Sequence, residues 1–401
     1  MKLNKFLLTS ALGLAMTSLT QAGNVYISGS TAMRNVVYNT LVASGAVFTT
    51  VPAVTVYHGS VGSPQKATYM AFYGTLVGGS TPTTLYTSWS GSEAGILNAA
   101  SNNVSAFWPN YIGDGVAINT TLGTIQDNSA SDPATFSAHP SDLAMGDNDQ
   151  PFSRTKTPVL TTKAEVGVIT FEWLRNHGQW YGSSYPTNIT ESQIRQAMGS
   201  FCKLAVFTGN SADVNNYVYV SGRNNGSGTR VNAFGTSGWG IFTSPKQIMM
   251  DTSGNMQDLS GDGSGVYAGD YGFESGGDLS KTLGADTSAK PDLVHSKTGF
   301  SVIAYAGVSD ANTAIGLGAE ALMLDGVQFT PANVIEGRYT YWGNEYIFAA
   351  NSVTSGTEAK SIFDLLSAST GIPTYCDGVT AINLNNMHCT RQGPTSDPAH
   401  N

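Results

Sequence analysis

Val25-Tyr26-Ile27-Ser28-Gly29-Ser30-Thr31-Ala32-Met33-Arg34-Asn35-Val36-Val37 decides the architecture, because a β-branched and aromatic run gives way to a small-residue turn and then to helical spacing. Val25 to Ile27 predicts a strand, Ser28-Gly29-Ser30 a tight turn, and Met33, Val36, Val37 and Leu41 one face of a helix. The alternation returns along the chain. Val54 to Tyr57, Tyr69 to Leu76 and Thr84 to Trp89 predict further strands, with a helix from Glu93 to Ala100. A second series opens at Val166 to Phe171, passes a helix near Glu191 to Met198 and reaches a strand at Tyr217 to Val220. Ala319 to Leu324 predicts a helix, Glu345 to Ala350 a strand returning to the first unit, and Glu358 to Ser367 an amphipathic helix. Strands alternating with helices point to α/β units with largely parallel sheets. Residues 101–140 show no firm periodicity and read as an insertion. The Gly, Asp and Ser enrichment over 250–298 predicts a long surface excursion, and the tail after Arg391 a loose end.

The chain has 401 residues, enough for two or three compact units, and its 12% charged, 41% hydrophobic composition excludes a disordered chain, a coiled coil and a basic nucleic-acid binder. The formal net charge is −9 and no Lys/Arg run exists, so any anionic ligand has to be recognised locally. Lys2 and Lys5, the apolar stretch from Phe6 to Met16, and Thr20-Gln21-Ala22 predict a secretory signal over residues 1–22, cleaved after Ala22. A periplasmic or extracellular protein without a lipid anchor is expected, since no Cys stands at the cleavage site. With three cysteines, disulfides do not hold the fold together, although Cys376 and Cys389 are close enough in sequence to close a small C-terminal loop. Cys202, inside an apolar run, reads as a buried thiol.

Three strand-to-helix turns carry small hydroxyl residues: Ser28-Gly29-Ser30-Thr31, Ser90-Gly91-Ser92-Glu93-Ala94-Gly95, and Ser221-Gly222-Arg223-Asn224-Asn225-Gly226-Ser227-Gly228-Thr229. Each would aim unsatisfied backbone N–H groups, a helix dipole and hydroxyls at one point, which makes an oxyanion cradle. Each is also a satisfactory N-cap on its own. Open α/β sheets bind ligands at the carboxyl ends of their strands, so the turns are expected to converge in a cleft. The six histidines have no metal-like spacing, no cofactor motif is present, and Asp258-Leu259-Ser260-Gly261-Asp262-Gly263 lacks the closing acid of a calcium loop. No G-x-S-x-G elbow or nucleotide-hydrolase loop occurs.

Taken together, the Gly29-Ser30-Thr31 turn, the Gly91-Ser92 to Gly95 turn, the Asp142-Leu143-Ala144-Met145-Gly146-Asp147 segment and the R-x-x-G-S-G-T run from Arg223 to Thr229 resemble, in order, motifs of the periplasmic phosphate-binding proteins that serve ABC importers. The resemblance implies a two-domain α/β fold of the type II periplasmic-binding-protein kind with a ligand cleft between domains. The first domain would comprise 23–164 plus 345–401, and the second 165–344. It implies capture of inorganic phosphate without covalent chemistry, delivery to an inner-membrane ABC permease, and ligand contacts from Thr31, the backbone of Ala32, Ser92, Asp147, Arg223, Ser227, Gly228 and Thr229. Asp147 would accept the hydrogen that phosphate keeps near neutral pH and sulfate lacks. The chain departs from the family pattern at Glu93, a carboxylate beside the expected anion, and at Asn225, where an acid often partners the arginine. Arg34 and Arg230 are expected to be solvated. Two other functions fit the composition: a self-assembling surface protein on the same fold, and an exported phosphate-ester hydrolase.

Overall fold

The computed structural model describes residues 23–57, 63–101, 106–109, 123–127, 136–177, 186–199, 202–259 and 265–400. The expected signal segment and four of the six residues of the Asp258 to Gly263 loop lie outside them.

The opening strand β1 (Gly23–Gly29) is followed by a turn and helix α1 (Arg34–Val42), whose Val36, Val37 and Leu41 are buried. Strands β2 (Ala53–Tyr57), β3 (Tyr69–Thr75) and β4 (Pro82–Ser88) lead to helix α2 (Ser92–Ala100). Beyond them come β5 (Leu143–Gly146), the 14-residue β6 (Thr162–Arg175), helix α3 (Glu191–Gly199) and β7 (Tyr217–Ser221). Helices α4 (Gly228–Thr236) and α5 (Gly276–Leu283) precede β8 (Ser301–Gly307), α6 (Val308–Gly316), β9 (Glu320–Leu324), β10 (Trp342–Ala349) and α7 (Glu358–Ser367).

One sheet runs in the order β7-β8-β6-β10-β5-β1-β4-β3-β2. Its long strand β6 holds two halves together: residues Thr162 to Thr170 pair with β10, and Phe171 to Arg175 pair with β8. The sheet is mixed rather than largely parallel. β1 pairs in parallel with β4 and β5, and β7 with β8, whereas β6 and β10 are antiparallel to their neighbours. Parallel β1, β4 and β5 bring the ends of β1 and β4 and the residue after β5 to one edge, where the turns gather.

Several expectations are corrected. Glu320–Leu324 is a strand, not a helix, because it pairs antiparallel with β6 and parallel with Asn188–Ile189, and pairing overrides the helix propensity of Glu, Ala, Leu and Met. Residues 250–298 are not merely a surface excursion, since they contain α5 and supply carbonyls that hold Arg223. The described parts of 101–140 include paired strands, 106–109 with 136–139 and Ile125–Asp127 beside β2. All three cysteines are free, so Cys376 and Cys389 do not close a loop, and burial pushes the Cys202 thiol up to about 12. The tail is tied down: Arg391 is buried and donates to the carbonyls of Thr340 (2.8 Å), Trp342 (2.6 Å), Gly393 and Pro394.

Glu172 of β6 is also buried, and burial pushes its carboxyl up to about 7. A raised acid is neutral below its unfolded value and becomes a costly buried charge as pH climbs through the folded one. Thermal unfolding is therefore expected to lose roughly 2 kcal/mol of stability between about pH 5 and 8, and Glu172→Gln to flatten that slope. Identical slopes in both proteins would refute this role for Glu172.

Candidate functional site

The three turns meet. At the end of β1, Gly29 adopts φ 134, a conformation that favours glycine, and lies against the backbone of Met145 in β5. Ser30 N–H donates to the Met145 carbonyl (3.0 Å), and Ser30 Oγ accepts from Met33 N–H (3.2 Å), which fixes the turn before α1 begins. Gly91, φ 101, precedes α2 and donates to the Gly29 carbonyl (2.8 Å). Glu93 N–H reaches across to the Gly226 carbonyl (3.0 Å), joining the second turn to the third. In the third, Ser227 caps α4 by accepting from Arg230 N–H (3.3 Å), and Gly228 and Thr229 form its first turn.

Asp147 lies where the turns converge and is buried with Ser92, Ser227 and Thr229. Its carboxylate accepts from the Ser30 hydroxyl and, at 3.4 Å, from the Thr229 hydroxyl. Its N–H donates to Ser92 Oγ (3.1 Å), and its carbonyl accepts from Asn232 Nδ2 (2.9 Å). Gly228 has to be glycine for this packing: a Cβ there would stand 2.6 Å from Ser92 Cβ and 2.9 Å from Asp147 Cβ. Tyr341 closes the far side by donating to the Thr229 carbonyl (3.1 Å).

Arg223 is the buried cation of the site. Its Nε donates to the Phe273 carbonyl (3.1 Å), Nη2 to the Glu274 carbonyl (2.6 Å), and both Nη atoms lie 3.5 Å from Thr31 Oγ1. Burial lowers its pKa, opposed by the charges of Asp310 and Asp147. Asp310, in the first turn of α6, is the acid whose charge acts most on Arg223; a Cβ on Gly276 would be 2.9 Å from Asp310 Cγ and 3.3 Å from Arg223 Nη1. Burial raises the Asp310 carboxyl, while Arg34 and Arg223 pull it down.

All eight expected residues thus belong to one region, in two groups. Ser92, Asp147, Ser227, Gly228 and Thr229 are packed together, whereas Arg223 stands against Thr31, which with Ala32, Arg34, Lys66 and Asp310 lines a cleft of about 240 Å³. A larger cleft of about 490 Å³, bordered by Arg34, Lys66, Trp89, Asp278 and Asp310, lies beside it. Three expectations are overturned. Arg34 and Arg230 are buried rather than solvated; Arg34 borders both clefts, and Arg230 is held by Asp270 at 2.5 Å. Glu93 turns away from the site, accepting from Arg154 N–H (2.7 Å), Ser153 Oγ (3.0 Å) and Asn148 Nδ2 (3.1 Å). Ser30, Asn232, Asp310 and Glu345 were not singled out from sequence. For Glu345 the signal was a lone acid in the apolar strand from Trp342 to Phe348, and for Ser30 the hydroxyl next to Thr31.

The groups gathered here are of the kinds that suit a small tetrahedral anion. They are hydroxyls from three turns, a buried guanidinium and the positive end of α4, with one carboxylate to accept a hydrogen. No family model matches the chain, and no curated protein does. Solved structures are similar. A Clostridium perfringens protein assigned as a phosphate ABC transporter substrate-binding protein, solved with bound phosphate, matches at 16% identity and TM-score 0.49, over 90% of this chain and 100% of that one. PstS from Borrelia burgdorferi matches at 13% identity and TM-score 0.40, over 90% and 98%. An ABC-type phosphate transport receptor from Vibrio cholerae matches at 12% identity and TM-score 0.41, over 89% and 99%.

Proposed function

We propose that the protein captures inorganic phosphate, as hydrogen phosphate, between two lobes and does no covalent chemistry. One observation carries the reading: turns far apart in sequence, after β1, before α2 and before α4, are hydrogen-bonded to one another around Asp147, with the buried Arg223 against Thr31. Thr31, the backbone of Ala32, Ser92, Arg223, Ser227, Gly228 and Thr229 would bind the anion, and Asp147 would accept its hydrogen. On this reading the Ser30 and Thr229 hydroxyls turn from Asp147 to the anion as it enters past Thr31, and the anion's O–H replaces them on the carboxylate.

The lobes would be 23–164 plus 345–401 and 165–344, with the boundary crossing β6 and β10. Closure around the anion completes its donor shell, and an ABC permease reads the closed state after export to the periplasm.

Calorimetric titration with phosphate and sulfate tests the reading. Asp147→Asn turns an amide donor toward the phosphate O–H and offers sulfate the donor it lacks. Phosphate affinity is expected to fall by about tenfold, near 1.4 kcal/mol, with the preference over sulfate shrinking at least as far. An unchanged phosphate-to-sulfate ratio would remove Asp147 from this role. Absence of phosphate binding by the unaltered protein would remove the function.

A further inference from the structure

Glu345 occupies the middle of β10 and is fully buried. Among the described residues, no donor is placed on either of its carboxyl oxygens. Tyr346 pairs with Gly146 across the antiparallel β10–β5 ladder, which sets Glu345 opposite Asp147, the residue that follows β5. On the other side of β10, the register against β6 shifts between Glu345 and Tyr346. Such a bulge re-aims a side chain locally. The Glu345 carboxyl accordingly lies beside the Asp147 carboxylate and the Ser30 hydroxyl, at the floor of the candidate anion site.

Two neighbouring carboxyl groups out of water do not both ionise, so the pair holds one proton. Burial, and after it the charge of Asp147, push Glu345 well above the usual carboxylate range, which makes Glu345 the member that keeps the proton. Among the described residues, the other ionisable groups that act on the pair include Arg223 and Tyr341, toward Asp147, and Cys376, toward Glu345. Burial holds the Tyr341 hydroxyl and the Cys376 thiol in their neutral forms. The adjoining position of β6, Gly167, has no side chain, and the turn after β1 offers only Ser30.

We propose that Glu345 is a specificity-determining positioning residue: its carboxyl O–H donates to Asp147 and so leaves Asp147 an acceptor for the hydrogen of the bound anion. The inference rests on the anion-capture reading above. A donor already aimed at Asp147 fixes its carboxylate as an acceptor toward the anion, so that sulfate, which carries no hydrogen, would set oxygen against oxygen there.

The test is calorimetric titration of the unaltered protein, Glu345→Gln and Glu345→Leu with phosphate and with sulfate, from about pH 5 to pH 8. The Gln amide supplies an N–H donor without a titratable proton, so Glu345→Gln is expected to keep phosphate affinity and the phosphate-to-sulfate ratio within about threefold. Glu345→Leu removes the donor. Its ratio is expected to fall by about tenfold or more. Phosphate binding tightened beyond about threefold in Glu345→Gln would show an ionised Glu345 repelling the anion, and would overturn the proposal. An unchanged ratio in Glu345→Leu would do the same. Should Glu345→Leu fail to fold, the Glu345→Gln comparison decides alone. Binding of neither anion by the unaltered protein at any pH would instead defeat the anion-capture reading itself.

Discussion

Arg223→Ala is expected to weaken phosphate binding by at least about 300-fold, over 3 kcal/mol, the largest effect on binding of any single truncation in the site. The reason is that Arg223 does two things from one buried position. It supplies a charge-assisted donor next to Thr31, and its Nε and Nη2 satisfy the Phe273 and Glu274 carbonyls. Truncation removes the cation that an anion would face, leaves the acid Asp310 without one of its two buried counter-charges, and strips two carbonyls of their donors. Arg223→Lys keeps the charge but cannot repeat a planar fork to two carbonyls and a hydroxyl, so an intermediate loss is expected. Titration calorimetry measures the affinity, and the unfolding transition separates lost contact from lost fold. Affinity within a few-fold of the unaltered protein would place the anion elsewhere.

Gly91→Ala is expected to act on stability and binding together. Gly91 sits at φ 101, where a Cβ is strained, and that Cβ would stand 2.5 Å from the Gly226 carbonyl oxygen and 3.1 Å from its carbon. Both atoms belong to backbone, so neither can swing aside as a flexible side chain would. The turn before α2 and the turn before α4 would have to separate, breaking the hydrogen bond from Glu93 N–H to Gly226. The strained conformation costs about 1–2 kcal/mol, and overpacking adds about 1–3 more. A loss of about 3–4 kcal/mol in unfolding free energy is expected, together with loss of phosphate binding, because Ser92 and Thr229 no longer face the same point. Denaturant unfolding reads the first and calorimetry the second. A folded variant with unchanged affinity would show that the junction of these turns does not form the site.

The local units were legible in the sequence where periodicity was strong. The strand and helix on either side of Ser28-Gly29-Ser30, the helix after Ser92, and the helix after Ser227 all stand where their spacing put them. What periodicity could not give was pairing direction. Antiparallel β10 and β6 between the two halves of the sheet follow from long-range contacts, as does the strand at Glu320–Leu324, whose composition suits a helix. The site was legible as residue types: hydroxyls and glycines at helix starts, one arginine, one acid. Partners were not, because they come from segments remote in sequence. The charge of Asp310 acts on Arg223 from the start of α6, and the carbonyls that hold the guanidinium come from a stretch that reads as a polar excursion. The fate of Glu93 was likewise hidden, since it depends on the loop from Asn148 to Arg154 folding back over it.

A crystal structure of the protein grown with phosphate would test the central claim most directly. The account predicts one tetrahedral anion within hydrogen-bond reach of Thr31, Ser92, Arg223 and Thr229, with an oxygen against the Asp147 carboxylate. An anion seated instead between Arg34 and Lys66, with the packing of Ser92, Asp147 and Gly228 unchanged, would contradict it.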